Sequence, residues 1–143
     1  MKKYYLPVAA LLVASLVGSC GSSADAPQED AGNAMAASKP TGAQLYNRTC
    51  VSCHQASGMG IPNVYPPLSK SDYLADKEKT ILQVIRGSAG KLVVNGVEYN
   101  NTMPPQQLND EEIAEVLTYV YSNMGNSGSP VTVEEVKMAR AKP

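Results

Sequence analysis

The sequence predicts a mainly α-helical domain with one short β-hairpin, and three observations point to this fold class. Apolar residues recur three and four positions apart along residues 109–124, which is the period of an amphipathic helix. Capping signals, a small polar residue followed three positions later by Glu or Gln, stand before three segments. Two β-favouring runs flank the pair Asn95-Gly96, which is typical of a tight hairpin turn.

Residues 1–19 are predicted to be a signal peptide. Lys2 and Lys3 precede an apolar run, residues 6–17, that only Ser15 interrupts. This run is short for a membrane-spanning helix, and its flanks are typical of a secretory signal. We therefore expect export across a bacterial inner membrane.

Cys20 follows directly, in the sequence LVGSCG, which resembles a bacterial lipobox. The resemblance implies that Cys20 is acylated and becomes the first residue of the mature protein. A free thiol, or one paired with another chain, is the alternative. Residues 21–40 are rich in Ala, Ser, Gly and acidic residues and contain no Ile, Leu, Val or aromatic residue. We interpret residues 20–40 as a lipidated N-terminus and flexible tether.

The folded domain is predicted to cover residues 41–125 and to begin with a short helix. Thr41 and Gln44 form the capping box of that helix. A second helix is predicted to begin near Asp76 and to stop at Gly87.

The second half of the domain is predicted as a hairpin, a loop and a long helix. The hairpin covers residues 91–99, and the Pro-containing loop covers residues 100–107. The long helix covers residues 109–124. Residues 126–143 are a predicted C-terminal extension with a short helix that begins near Thr132.

Composition excludes some functions and raises one question about the core. The chain has 12 basic and 13 acidic residues and no basic block after its first three residues, so we expect no nucleic-acid partner. We find no phosphate loop, Ser/His/Asp set or paired carboxylates that predict an enzyme. Phe and Trp are absent and all eight aromatic residues are Tyr. Because domains of this size usually bury large aromatic side chains, we infer that a bound macrocycle fills part of the interior.

The chemistry-bearing motif is CVSCH, residues 50–54, which holds two of the three cysteines and the single histidine. Zinc needs four ligands, and only Cys20 remains to join this group. A thioredoxin-like pair requires a βαβ setting that the helical pattern lacks. A disulfide between Cys50 and Cys53 is an alternative, but closing so short a loop would stabilise the fold little.

The remaining interpretation is C-x-x-C-H, the attachment site of a c-type haem. Cys50 and Cys53 are three positions apart, which places both thiols on one face of a helix end, where they can add to the two haem vinyl groups. His54 would then meet the iron from the proximal side. The sequence therefore predicts one covalent haem c.

With the order helix, CVSCH, later methionine and terminal amphipathic helix, residues 41–125 resemble a monohaem class I cytochrome c. The resemblance implies helices wrapped around the haem, with the hairpin as an addition. The sixth iron ligand cannot be His, because the chain has only one. Met103, in the sequence NTMP, matches the Met-Pro ligand loop of the family and is the predicted ligand; a plain packing role is the alternative. The other methionines are in the signal, the tether, just after the motif, or in helices: Met1, Met35, Met59, Met124 and Met138.

Three further residues are expected near the haem. The family uses a carbonyl in a Pro-x-Leu segment to accept the His ring N–H, which corresponds to Pro66 here. Tyr99 and Asn100 precede the Met loop and either contact the haem or its propionates, or pack within the hairpin.

The resemblance implies a one-electron carrier rather than an enzyme. With export and an anchor at Cys20, we expect it in the periplasm or on the outer face of the cytoplasmic membrane. Expected partners are a terminal oxidase, a quinol-oxidising complex or a nitrite reductase, and the domain is either a free carrier or a fixed subunit. The alternative function is small-ligand binding or a peroxidase-like activity at a haem with a labile sixth ligand.

Overall fold

The computed structural model describes residues 38–143, so the predicted signal peptide, Cys20 and most of the tether lie outside the described part of the chain. Its elements, in order, are α1 Gly42–Thr49, α2 Val51–His54, a 3-10 helix Asp72–Ala75, α3 Lys77–Arg86, β1 Leu92–Val94, β2 Val97–Tyr99, α4 Asp110–Asn123 and α5 Val133–Arg140. The predicted class, mainly helical with one hairpin, is confirmed.

Side chains cap the helix starts. At α1, Gln44 N–H donates to Thr41 Oγ1 (3.3 Å) and Thr41 N–H donates to Gln44 Oε1 (2.9 Å). Each such cap satisfies N–H groups that have no partner inside the helix and is worth about 1 kcal/mol. The same reciprocal pairs begin α4 and α5: Asn109 with Glu112, and Thr132 with Glu135.

The hairpin turns at Asn95-Gly96, as predicted. Both residues have positive φ, 50° and 77°, which is the backbone of a type I′ turn. Asn95 also holds the preceding segment, because its N–H donates to Asp72 Oδ1 (2.8 Å) and its Oδ1 accepts from Asp72 N–H (2.9 Å). The 3-10 helix that contributes Asp72 was not predicted from the sequence.

The attachment segment is divided into two short helices where the sequence predicted one. Cys50 lies at the junction with φ −115° and ψ −33°. The hydrogen bonds nevertheless run through it, since Cys50 N–H donates to Tyr46 O and His54 N–H donates to Cys50 O, both at 2.9 Å. Gln55, at φ 63°, ends the second helix.

The core is built on the packing of α1 against α4. Gly42 permits this approach, because a Cβ there would lie against Glu115 O and 2.7 Å from Tyr119 Cβ. Leu45 and Tyr46 of α1 are fully buried. The buried stripe on α4 has the spacing that the sequence predicted and consists of Ile113, Val116, Leu117, Val120 and Tyr121.

The C-terminal residues join the same core. α5 packs on α3 and α4 and contributes Val136, which is 0 % exposed, and Ala139 to the buried cluster. At its first turn Glu135 pairs with Lys77 Nζ at 3.0 Å. Residues after position 125 therefore add to the hydrophobic interior that surrounds the site.

Candidate haem site

Two adjoining cavities open between the attachment segment and the Met103 loop. They share part of their walls, and we call the combined space the central cleft; the shared residues are Cys50, His54, Pro66, Gln83, Leu92, Met103 and Gln106. The inner cavity is lined mainly by apolar side chains of α3, α4 and the intervening loops. The outer cavity adds Cys53 and Tyr99. Of the predicted haem contacts within the described chain, all except Asn100 thus form one site.

Asn100 is the exception among the predicted contacts. It is exposed, lies on neither wall of the cleft, and its Nδ2 donates to Glu98 Oε1 at 3.3 Å. Side chains alternate along an extended segment, so its neighbours Tyr99 and Asn101 face the cavity instead. We therefore propose no haem contact for Asn100.

His54 is buried and held in one orientation. It is 8 % exposed, and its Nδ1 lies 2.9 Å from Pro66 O. A carbonyl only accepts hydrogen bonds, so Nδ1 carries the proton and Nε2 keeps its lone pair. Burial lowers the pKa of His54, and the hydrogen bond to Pro66 offsets part of this effect. A neutral imidazole with a free Nε2 is the form that binds a metal.

A tight loop positions the Pro66 carbonyl. Leu68 N–H donates to Gly58 O at 2.7 Å, and Gly60 N–H donates to His54 O at 2.9 Å. Gly60 has φ +65°, and a Cβ there would meet Tyr65 O and lie 2.6 Å from Pro66 O. Only glycine fits this close approach of backbone to backbone.

The two thiols are free in the described chain and lie one helical turn apart. Cys50 is half-buried, with Thr49 Oγ1 3.3 Å from its Sγ, and burial raises the pKa of its thiol. Cys53 lines the outer cavity. Both cysteines therefore border the cleft that His54 also lines.

Met103 lies across the cleft on a loop that is pinned to the end of α3. Ser88 N–H donates to Met103 O (2.8 Å) and Met103 N–H donates to Ser88 O (2.9 Å), which forms an isolated antiparallel bridge. Gly87 allows the contact, since a Cβ at φ +69° would meet Met103 O and lie 2.8 Å from Pro105 N. Both backbone groups of Met103 are thus fixed.

Within residues 38–143, Met103 is the methionine that lines the cleft. Met59 and Met138 are 60 % and 62 % exposed. Met124 is buried, but it packs in the core beside Gly58, where an added Cβ would lie 2.5 Å from Met124 Sδ.

The residues present fit a haem c. The cleft offers an imidazole, a thioether and two thiols within mainly apolar walls. Ser71 also lines the inner cavity, and its Oγ is buried without a hydrogen-bond partner in the described chain, which is a costly state that a polar group of a bound molecule would relieve. No cluster of His, Cys, Asp and Glu in residues 38–143 could hold a bare metal ion.

Gln83 and Ser88 also line the outer cavity, and sequence reasoning missed them. One signal was available for Gln83. It lies three positions after the buried Thr80 and next to Val84 on α3, so a long amide occupies the face that turns toward the interior. A polar residue on such a face needs partners.

The profile of the cytochrome c family, described as "Cytochrome c", matches residues 40–123. The chain is 39% identical over 119 residues to a cytochrome c-552 of Thermus thermophilus, an alignment covering 76% of this chain and 80% of that protein. A second cytochrome c-552 of Thermus thermophilus is 40% identical over 112 residues, with 71% of this chain and 85% of that protein covered.

The chain is also similar to part of a larger protein. The cytochrome subunit of fructose dehydrogenase from Gluconobacter japonicus is 31% identical over 110 residues, which cover 70% of this chain but 22% of that subunit. The match of the family profile and of the Thermus proteins agrees with the C-x-x-C-H segment and the helical fold around the cleft. The chain therefore belongs to the cytochrome c family, as a monohaem class I member with covalent haem c.

Proposed function

We propose that this protein carries single electrons through a haem c that is attached to Cys50 and Cys53 and ligated by His54 and Met103. The observation that carries this proposal is that His54, with Nε2 free, and Met103 line one cleft with both thiols. When bound, the haem supplies a one-electron couple, and a His/Met pair gives it a higher potential than two His ligands would. The chain's part is to hold both ligands and to exclude water with apolar walls.

Electron transfer is favoured over ligand binding by the way Met103 is held. A sixth ligand must leave before a gas or peroxide can bind at the iron. Two backbone hydrogen bonds to Ser88 fix Met103 on both sides. The proposed function is therefore electron carriage rather than an enzymatic reaction at the iron.

We propose the domain organisation that the sequence predicts: signal peptide 1–19, lipidated N-terminus and tether 20–40, cytochrome domain 41–125, and C-terminal extension 126–143. The apolar run and the lipobox-like sequence at Cys20 support export and a lipid anchor on the outer face of the cytoplasmic membrane. Within residues 38–143, no helix is long and apolar enough to cross a membrane.

Redox proteins are the proposed partners. The similar proteins include cytochrome subunits of a fructose dehydrogenase and of quinone alcohol dehydrogenases. By analogy, a quinol-oxidising complex or dehydrogenase would donate electrons to this protein, and a terminal oxidase or nitrite reductase would accept them. Co-purification at fixed stoichiometry after mild membrane extraction would identify it as a subunit, whereas recovery alone would identify a free carrier.

Carbon monoxide binding tests the proposed function. The native reduced protein is expected to bind carbon monoxide slowly or incompletely at neutral pH, because Met103 occupies the sixth position. Met103→Ala is the positive control, since it opens that position and should bind rapidly. Rapid, complete carbon monoxide binding by the unmodified protein would overturn the proposal and favour small-ligand binding as the function.

A further inference from the structure

The amide of Gln83 is surrounded by three partners. Its Nε2 donates to Met103 Sδ at 3.8 Å and also to Ser88 Oγ. Its Oε1 accepts from the Tyr73 hydroxyl at 2.9 Å. Gln83 is half-buried on α3 and lines both cavities of the central cleft. Every polar atom of this side chain is therefore engaged beside the predicted ligand.

The sulfur determines which end of the Gln83 amide faces it. A thioether can only accept a hydrogen bond, so the NH₂ end must face Met103. The Tyr73 hydroxyl can donate or accept, and it accommodates this orientation by donating to the opposite, carbonyl end. Tyr73 is itself held, because Lys79 Nζ lies 4.2 Å from the centre of its ring.

We infer that Gln83 is a positioning residue for Met103, which holds the thioether by an N–H···S hydrogen bond and raises the reduction potential of the protein. The inference rests on the proposed function, in which Met103 is the iron ligand. A thioether sulfur has two lone pairs, so one can accept from Gln83 while the other remains for the metal.

The direction of the effect follows from charge. An N–H donor draws electron density from the sulfur and places a partial positive charge close to the metal. The oxidised state carries one more positive charge than the reduced state, so it is disfavoured more. Both effects favour the reduced protein, and hydrogen bonding around a ligand is a known means of setting a haem potential.

Gln106 provides a matched control. It is also a half-buried glutamine on the wall of the cleft, and it lies three residues after Met103. Its Nε2 donates to Pro104 O at 2.8 Å and makes no hydrogen bond to the sulfur. Loss of either side chain would loosen the cleft wall, but only loss of Gln83 removes the bond to Met103.

The experiment is a redox titration of the mature haem-loaded protein, of Gln83→Leu and of Gln106→Leu. At a fixed ambient potential, Gln83→Leu is expected to raise the ratio of oxidised to reduced protein at least threefold. This equals a fall in midpoint of about 28 mV, at about 59 mV per tenfold change. Gln106→Leu should move the ratio by less than half as much on the logarithmic scale. Equal shifts in the two variants, or none in Gln83→Leu, would overturn the inference.

Tyr73→Phe keeps the inference testable if Gln83→Leu does not fold. Loss of the hydroxyl frees the amide to rotate, so a smaller fall in potential is expected, and an unchanged or higher potential would contradict the proposal.

The absorption spectrum distinguishes failure of the proposed function from failure of this inference. If the oxidised wild type lacks the weak red-edge band of methionine ligation, the proposed function fails, and this inference with it. If the band is present and the potentials do not move, only the inference about Gln83 fails.

Discussion

The loop that carries Pro66 holds His54 in its orientation. The Pro66 carbonyl accepts from Nδ1 at 2.9 Å, and the Gly58 and Gly60 backbone hydrogen bonds fold that loop onto the motif. The proposed ligand His54 lies within CVSCH, but the carbonyl that orients it lies 12 positions away. Substitutions in the loop should therefore alter the site without touching a ligand.

Gly60→Ala should destabilise the protein by more than its backbone angle alone explains. An added methyl group meets Tyr65 O and lies 2.6 Å from Pro66 O, so the loop must move. The control is Gly90→Ala, where φ is +85° and nothing lies within 4 Å of the added Cβ. Strain from positive φ should cost each variant about 1 kcal/mol, and the clash should add about 1–3 kcal/mol to Gly60→Ala. Urea denaturation measures both, and equal losses would contradict this account.

At the scale of elements, local signals explain most of the fold. The capping boxes at Asn109 and Thr132 and the turn at Asn95-Gly96 are each complete within a few residues, so the sequence predicts them well. The 3-10 helix and the packing of α5 depend on contacts between residues far apart in the chain. The hydrogen bonds of Asp72 to Asn95, 23 positions away, are of this kind and leave no local pattern.

α5 is expected to unfold together with the rest of the domain. Val136→Ala removes two carbon atoms from a fully buried position and should cost about 1–3 kcal/mol. Met138→Ala, on the same helix at 62 % exposure, is the control and should stay within about 0.5 kcal/mol. Urea denaturation followed both by helicity and by haem absorbance checks this. If Val136→Ala and Met138→Ala lower the free energy of unfolding by equal, small amounts, α5 unfolds separately from the core.

The Lys77–Glu135 contact should make the attachment of α5 depend on pH. The pKa of Glu135 is lowered, first by the hydrogen bond from the Thr132 backbone and then by Lys77. A lowered pKa in the folded state means that the carboxylate stabilises the fold above its unfolded pKa and that this contribution is lost as the pH falls through the folded pKa. The stability advantage of wild type over Glu135→Gln should therefore shrink as the pH falls from above 4.5. Denaturation midpoints of the wild type and of Glu135→Gln at several pH values measure this advantage. A difference between the two proteins that stays constant with pH would contradict the assignment. Glu134→Gln, on the same turn of α5, is the control.

At the scale of the whole molecule, the central cleft explains the unusual composition. A domain without Phe or Trp has a cleft between α3, α4 and the attachment segment whose inner walls are mainly apolar. The haem was predicted from this absence and from CVSCH together. Gln83, Ser88 and Ser71 were not predicted, because ordinary polar residues reveal a role only when folding brings them to the same cavity.

Removal of the haem should unfold or greatly loosen the domain. In the double variant Cys50→Ala/Cys53→Ala, with the haem extracted, the apolar walls surround an empty cavity. By comparison with smaller cavities, this should lower the free energy of unfolding by at least about 5 kcal/mol. At about 4–8 °C per kcal/mol, the melting temperature should fall by roughly 20 °C or more. Circular dichroism checks this, and an apoprotein that melts cooperatively at the wild-type temperature would contradict the role of the cleft.

Ligation of the iron by His54 and Met103 is tested most directly by the absorption spectrum of the oxidised protein and of two variants. The wild type should be low-spin with the weak red-edge band of methionine bound to ferric iron. Met103→Ala should lose that band, and Met59→Ala, which alters an exposed methionine near the motif, should keep it. A high-spin wild type, or a band that survives in Met103→Ala and disappears in Met59→Ala, would contradict the account.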